Sequence, residues 1–207
     1  MSSPVKQQKN EWLQKCGVLR TPNDNSINFE KRSKSLEFIR SMAPHEYMTW
    51  LWNDKTSASR NANGSTFEYA IASVLLSRHI SPFYVQANIL HVDGVSFDFV
   101  LFRAGLDPIV ISAKTSLRER WKQAELEGRV LKSVYTKALC YLVTMDEGQA
   151  DNIQSKVEKR EAVGIDRVVR ANKIGFSELI SELTSHTYKE AVVQPPVLKS
   201  RIVSLIQ

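Results

Sequence analysis

Glu68, Asp98, Lys114 and Glu127 are the residues of this chain whose types and order could carry out a reaction. Carboxylates can hold one or two divalent cations, and an ammonium beside them can orient or deprotonate an attacking water. That combination suits hydrolysis of a phosphodiester. Asp98 is the most telling of the four because it sits inside the apolar run Phe97-Asp98-Phe99-Val100-Leu101-Phe102. Burying its charge alone would cost roughly several kcal/mol, so a cation, a hydrogen-bond network or a metal is expected beside it. Without such chemistry, the same residues would be ordinary ion pairs around a sheet.

The elements that must position these side chains follow from periodicity. Thr66 to His79 carries Phe67, Ile71, Val74 and Leu75 at helical spacing, and a cap at Ser65 or Thr66 would put Glu68 in the first turn. Residues 83–90, 96–102 and 109–112 read as strands, the first two joined by a turn at Val92-Asp93-Gly94. Along the second strand, alternation puts Phe97, Phe99 and Leu101 on one face and Asp98 on the other, with Val100 and Phe102. In-register pairing would project Asp98 and Lys114 together at one end of the sheet.

A helix is expected from Ser116 to about Ala138, where Ser116-Leu117-Arg118-Glu119 has the form of a capping box. At about 100° per residue, Glu127 falls within the arc of Ala124, Leu131, Val134, Tyr135 and Ala138, which would face the sheet. Glu125 falls instead among Arg118, Lys122, Arg129 and Lys132, where solvated ion pairs would satisfy it. A strand over 139–144, a helix over 147–159, a strand over 166–170 and a helix over 176–185 follow, with a short end after Pro195-Pro196.

Upstream, residues 1 to about 60 are helical in pattern, and the polar stretch 53–65 reads as a loop. Tyr47, Trp50 and Trp52 suit core packing better than a base-stacking platform. The predicted fold is α/β: one domain over 1–207, a central mixed β-sheet flanked by helices, with an N-terminal helical layer (1–60) on a catalytic core (61–207).

Here the sequence resembles the PD-(D/E)xK nucleases, in which an acid on one strand and an acid-x-Lys on the next form the metal site. Ser112 stands where the second acid belongs. Ser112-x-Lys114 followed by Glu127 resembles the CCGG-type branch of type II restriction endonucleases, in which the following helix supplies the missing acid. Lys114-Thr115-Ser116-Leu117-Arg118-Glu119-Arg120-Trp121-Lys122-Gln123 resembles that branch's recognition segment. The likeness covers the stretch from Glu68 to Glu127 and implies a restriction-endonuclease-like fold. It also implies Mg2+-dependent cleavage of double-stranded DNA at a symmetric site containing CC and GG, by a homodimer. It assigns catalysis to Glu68, Asp98, Lys114 and Glu127, metal binding to Asp98, Glu127 and Glu68, and base reading to Arg118, Glu119 and Arg120. Ser112 and Lys122 are secondary candidates. Chemically, arginine can grip guanine O6 and N7, and glutamate can accept from cytosine N4. The alternative role of Glu119 is only to close the capping box on Ser116.

Bulk properties agree with a DNA-directed role without requiring it. The formal charge is +6 and the pI about 9.3. Arg103, Lys114, Arg118, Arg120, Lys122, Arg129, Lys132 and Lys137 cluster near the motifs, as either a polyanion-binding or a solvated face would. Cys16 and Cys140 are too few and too far apart for a disulfide framework or a thiolate metal site. The opening residues lack a signal-like apolar core, and no run approaches a membrane span, so a cytoplasmic protein is expected, with no membrane partner and no small-molecule cofactor besides the metal. His79, His91 and His186 have no metal-ligand spacing and are expected in turns or on the surface. A repair or junction nuclease of the same fold, or a non-catalytic DNA-binding module, are the competing functions.

Overall fold

The computed structural model describes residues 12–33, 35–53, 60–92, 94–190 and 197–205. Four short helices come first: α1 (Trp12–Lys15), α2 (Asp24–Ser33), α3 (Leu36–Ser41) and α4 (Pro44–Asn53). The long α5 (Arg60–Ser77) leads to the strands β1 (Phe83–Ile89), β2 (Phe97–Leu101) and β3 (Ile109–Lys114). Then come α6 (Arg120–Val134), β4 (Leu139–Thr144), α7 (Glu147–Glu158), β5 (Arg167–Arg170), α8 (Ile174–Thr184) and β6 (Val197–Val203).

The strands form one mixed six-stranded sheet in the order β5-β4-β3-β2-β1-β6. β3, β4 and β5 run parallel, whereas β2 against β3, β1 against β2 and β6 against β1 are antiparallel. One face carries the largest apolar cluster, in which Phe67, Ile71 and Leu75 of α5 meet Phe83, Phe99, Leu101, Ile111 and Val143 of the sheet. Helices α1 to α4 and α8 contribute to the same cluster, so α5 is covered on both sides and Ala72, Ser73, Leu76 and Ser77 are buried along with its sheet-facing residues. The opposite face is covered by α6 and α7, through Leu131 and Ala124 of the first and Ala150 and Ile153 of the second. The fold is therefore α/β, a central mixed sheet flanked by helices, as the sequence predicts.

Several expectations are corrected. α5 begins at Arg60, so the predicted loop over 53–65 is helical where it is described, residues 54–59 lying outside the described residues. Glu68 is consequently in the third turn of its helix and not the first, and neither Ser65 nor Thr66 is a cap. Asn61, Asn63 and Gly64 are helical in spite of their poor intrinsic propensity. The short end expected after Pro195-Pro196, a pair outside the described residues, is β6, which pairs with β1. Asp93 of the predicted turn is also outside them; Gly94 takes a φ of 77°, which glycine adopts without steric cost.

The expected alternation along β2 also fails at one place. Phe99 and Leu101 pack on the α5 side and Val100 and Phe102 on the α6 side, but Phe97 joins the α6 side too. The break falls at Asp98. β1 breaks at the same level, because Phe83 and Val85 pack toward α5 whereas Ala87 and Ile89 pack toward α6. Between them Gln86 has a φ of 50°, and the pairing of β1 with β6 slips between Val85 and Asn88.

The aromatic residues of α4 are core residues. Tyr47 is fully buried with its ring stacked at 6.0 Å on Trp50, and Trp52 meets Phe67 edge-on at 5.9 Å. Cys16 and Cys140 are both buried. His79 and His91 lie in turns with φ of 58° and 64°. Among the described residues, no helix is long and apolar enough to cross a membrane.

Candidate active site

The end of the β2–β3 pair gathers the chemistry-bearing side chains. Phe99 pairs with Ile111, which brings Asp98 level with the last residues of β3. Lys114 is the final residue of β3, two residues beyond the strand end expected from the sequence, and its Nζ donates to Asp98 Oδ2 at 2.7 Å. The Ala113 N–H donates to the same oxygen at 2.8 Å. The side chains of Lys114 and Asp98 are only 6% and 12% exposed, so the partner that a buried aspartate requires is present.

Asp98 Oδ1 accepts from Gln86 Nε2 at 3.3 Å, and the same nitrogen donates to Glu68 Oε2 at 3.0 Å. Glu68, from α5, is thereby joined to Asp98 and Lys114 in one network. Burial first, and the Asp98 charge second, push the Glu68 carboxyl up to about 7, against the opposing pull of Gln86, Lys114 and Arg201. Glu127 is buried on α6, and its Oε1 accepts from Gln123 Nε2 at 2.8 Å. Burial raises its pKa as well, while the charges of Lys114 and Asp98 act on it from opposite directions. It shares their field without joining the hydrogen-bonded network.

Three carboxylates share the field of one buried lysine, with Arg201 acting on Glu68 as well, so carboxylates outnumber cations here. Oxygen donors with that excess suit a hard divalent cation such as Mg2+, and Asp98, Glu68 and Glu127 are the residues that would hold it. Among the described residues, no three His, Cys, Asp or Glu side chains are already drawn together at ligating distance.

The segment Thr115–Glu119 is a turn before α6 and not the start of that helix. Glu119 holds the N-cap position with no side-chain capping bond, and its carboxylate pairs with Lys122 at 2.5 Å, so no capping box forms on Ser116. The reason lies at Leu117, which is fully buried and donates its N–H to Asp146 Oδ2 at 2.9 Å. Asp146 is also the N-cap of α7, accepting from the Gln149 N–H at 3.2 Å. Arg118, Glu119 and Arg120 are exposed, with Arg120 the first residue of α6. Ser112 is buried within β3, and Lys122 is exposed.

α6 ends at Val134, so Tyr135 and Ala138 follow it. Its buried residues are Ala124, Glu127, Gly128 and Leu131, while Val134 is 42% exposed. Glu125 pairs with Arg129 as expected, but its side chain is only 13% exposed because it also accepts the Gly164 N–H at 3.3 Å. The basic residues do not form one face. Arg103 and Lys114 are buried, Lys132 pairs with Asp166 at 2.9 Å, and Arg129 with Glu125.

Sequence reasoning did not single out Gln86, Arg201 or Asp146. Gln86 could have been found by pairing the strands around their turn, since Val85 opposite Phe99 and Ala87 opposite Phe97 set it across from Asp98. Arg201 carried no local signal, because it acts through a distant pairing, whereas Asp146 carried the signal of an N-cap before α7 but none of its bond to Leu117.

No family model and no curated protein matches the sequence. Among solved structures, the chain is similar to restriction endonuclease PspGI in a substrate DNA complex, at 14% identity over 78% of this chain and 77% of that one, with a TM-score of 0.43. It is also similar to metal-depleted Ecl18kI in complex with uncleaved DNA, at 21% identity over 73% of this chain and 59% of that one, with a TM-score of 0.40. Metal-depleted Ecl18kI with uncleaved, modified DNA gives 24% identity over 75% and 59%, again with a TM-score of 0.40.

Proposed function

We propose that the chain is a Mg2+-dependent endonuclease of the PD-(D/E)xK type. Its substrate is double-stranded DNA, hydrolysed at a short symmetric site containing CC and GG by a homodimer. The observation that supports this most is the buried Asp98–Lys114 pair at the end of β2 and β3, bordered by Glu68 and Glu127. Asp98, Glu68 and Glu127 hold the cation, with Glu127 taking the part of the acid that Ser112 lacks. When bound, the metal supplies Lewis acidity to the scissile phosphate and to the leaving oxygen. Lys114 orients the attacking water and favours its deprotonation, its ammonium being fixed by Asp98 Oδ2 at 2.7 Å. Arg118, Glu119 and Arg120, exposed just beyond the site, read base edges in the major groove.

Digesting a supercoiled plasmid with and without Mg2+, then sequencing the product ends, tests this directly. Discrete fragments that appear only with Mg2+, with ends at CC/GG sites, are the expected result. Nicking confined to branched or damaged DNA would point instead to a structure-selective nuclease. A mobility shift without any cutting would point to a non-catalytic DNA-binding module.

A further inference from the structure

We propose that Gln86 is a positioning residue of this site, its side-chain amide tying the carboxylates of Glu68 and Asp98 into one pair directed at a single cation. The proposal rests on the nuclease reading of the site in one respect only, that these two carboxylates hold a metal.

Three observations on Gln86 converge. One nitrogen, Nε2, lies 3.0 Å from Glu68 Oε2 and 3.3 Å from Asp98 Oδ1, and its two hydrogens suffice for both bonds. Glu68 comes from a helix and Asp98 from a strand, and the charge of Asp98 disfavours that of Glu68; the Gln86 amide donates to both. Second, the backbone of Gln86 is left-handed, with φ 50°, in the middle of a strand. Glutamine gains nothing locally from that conformation, and residues held there against their preference concentrate at functional sites. Third, the distortion has a specific effect. β1 carries one extra residue against β6 here, Val85 to Asn88 opposing Arg201 to Lys199, while its register with β2 is kept. Such a bulge re-aims a side chain. Gln86 stays level with Asp98, at the place where both strands change the face on which their apolar residues pack.

A glutamine that only filled space in β1 would need none of this. Groups that orient metal ligands typically cost roughly 10–100-fold in metal affinity when removed. The same range is expected for Gln86→Met, which keeps the length of the side chain but donates no hydrogen bond.

The test is calorimetric titration of the full chain with Mn2+ in the absence of DNA, alongside urea unfolding. The unmodified chain should bind Mn2+ at a site that Asp98→Asn removes. Gln86→Met should weaken that binding roughly 10–100-fold. Gln86→Gly should weaken it equally, yet unfold at no lower urea concentration than Gln86→Met, because glycine accepts the left-handed backbone that other side chains are forced into. Unchanged Mn2+ affinity in both Gln86 variants overturns the proposal. So does a lowered unfolding midpoint in Gln86→Gly with affinity retained, which would mark Gln86 as a structural residue alone. If the unmodified chain shows no binding that depends on Asp98, the metal-site reading fails first and takes this proposal with it.

Discussion

Glu125 and Glu127 stand two residues apart on α6 and have different partners. Glu125 pairs with Arg129 and accepts the Gly164 N–H, whereas Glu127 is buried toward the sheet in the field of Lys114 and Asp98. Replacing each by glutamine keeps its shape and removes its charge. Glu127→Gln should slow Mg2+-dependent cleavage at least about tenfold, and Glu125→Gln should leave the rate nearly unchanged while costing some stability. Rates at saturating Mg2+ on one duplex provide the check; equal rates would remove the case for a carboxylate donated from the helix.

Lys114→Ala and Asp98→Ala should each reduce cleavage by at least about two orders of magnitude, since each strips a charge from the reacting centre. Lys114→Ala should remain folded and bind specific DNA, because Asp98 keeps the Ala113 N–H and the Gln86 amide as donors. Circular dichroism, DNA binding and single-turnover cleavage on one preparation decide the matter. A folded Lys114→Ala that cuts at near the original rate would show the site to be elsewhere.

Metal-free stability should fall as pH rises. The Glu68 carboxyl moves from 4.5 to about 7 on folding, so the folded chain holds its proton more tightly than the unfolded chain does. Below 4.5 both forms are protonated and the group contributes no difference; from there to about 7 the unfolded state gains by ionising, and above about 7 the loss is complete. The total is on the order of 3 kcal/mol. Glu127, raised by burial, adds in the same direction. Urea unfolding between pH 4 and 8 in EDTA should show the decline, and Glu68→Gln should flatten it. An equal decline in that variant would mean Glu68 is not its source.

Arg118→Ala or Arg120→Ala should relax discrimination at the CC/GG positions. Each bidentate arginine–guanine contact accounts for about 1–3 kcal/mol against a wrong base. An arginine gripping phosphate would instead weaken binding to all sequences alike and reduce the salt dependence. Cleavage of matched duplexes differing only at those positions, at fixed salt, separates the two. Unchanged preference in both variants would sink the assignment while leaving the nuclease reading intact.

How much was legible in the sequence depended on whether the determining contacts were local. The strand Leu139–Thr144 and the helix beginning at Glu147 are found where periodicity puts them. The demand of Asp98 for a partner followed from burial cost alone, and the inward side of Glu127 from helical phase. The capping box failed because its supposed N-terminus is held by Asp146, far along the chain, and by the burial of Leu117. β6 was missed because its alternation is brief and β1, its partner, lies far upstream. The break in alternation at Phe97 could not be read from β2, since it coincides with the distorted backbone of Gln86 in the neighbouring strand.

The pairing of β6 with β1 also bears on how the chain folds. Val203 pairs with Phe83 and Val197 with Ile89, a hairpin-like contact closed across most of the molecule, and such long closures form late. Residues 197–203 leave the ribosome after the other five described strands. Until they do, β1 presents an open edge of the kind that recruits foreign strands, and the distorted stretch around Gln86 is supported from one side only. Vectorial synthesis thus leaves β1 without its β6 neighbour until residues 197–203 have been made. A chain lacking residues 197–203 should aggregate during refolding where the full chain does not, which light scattering would register.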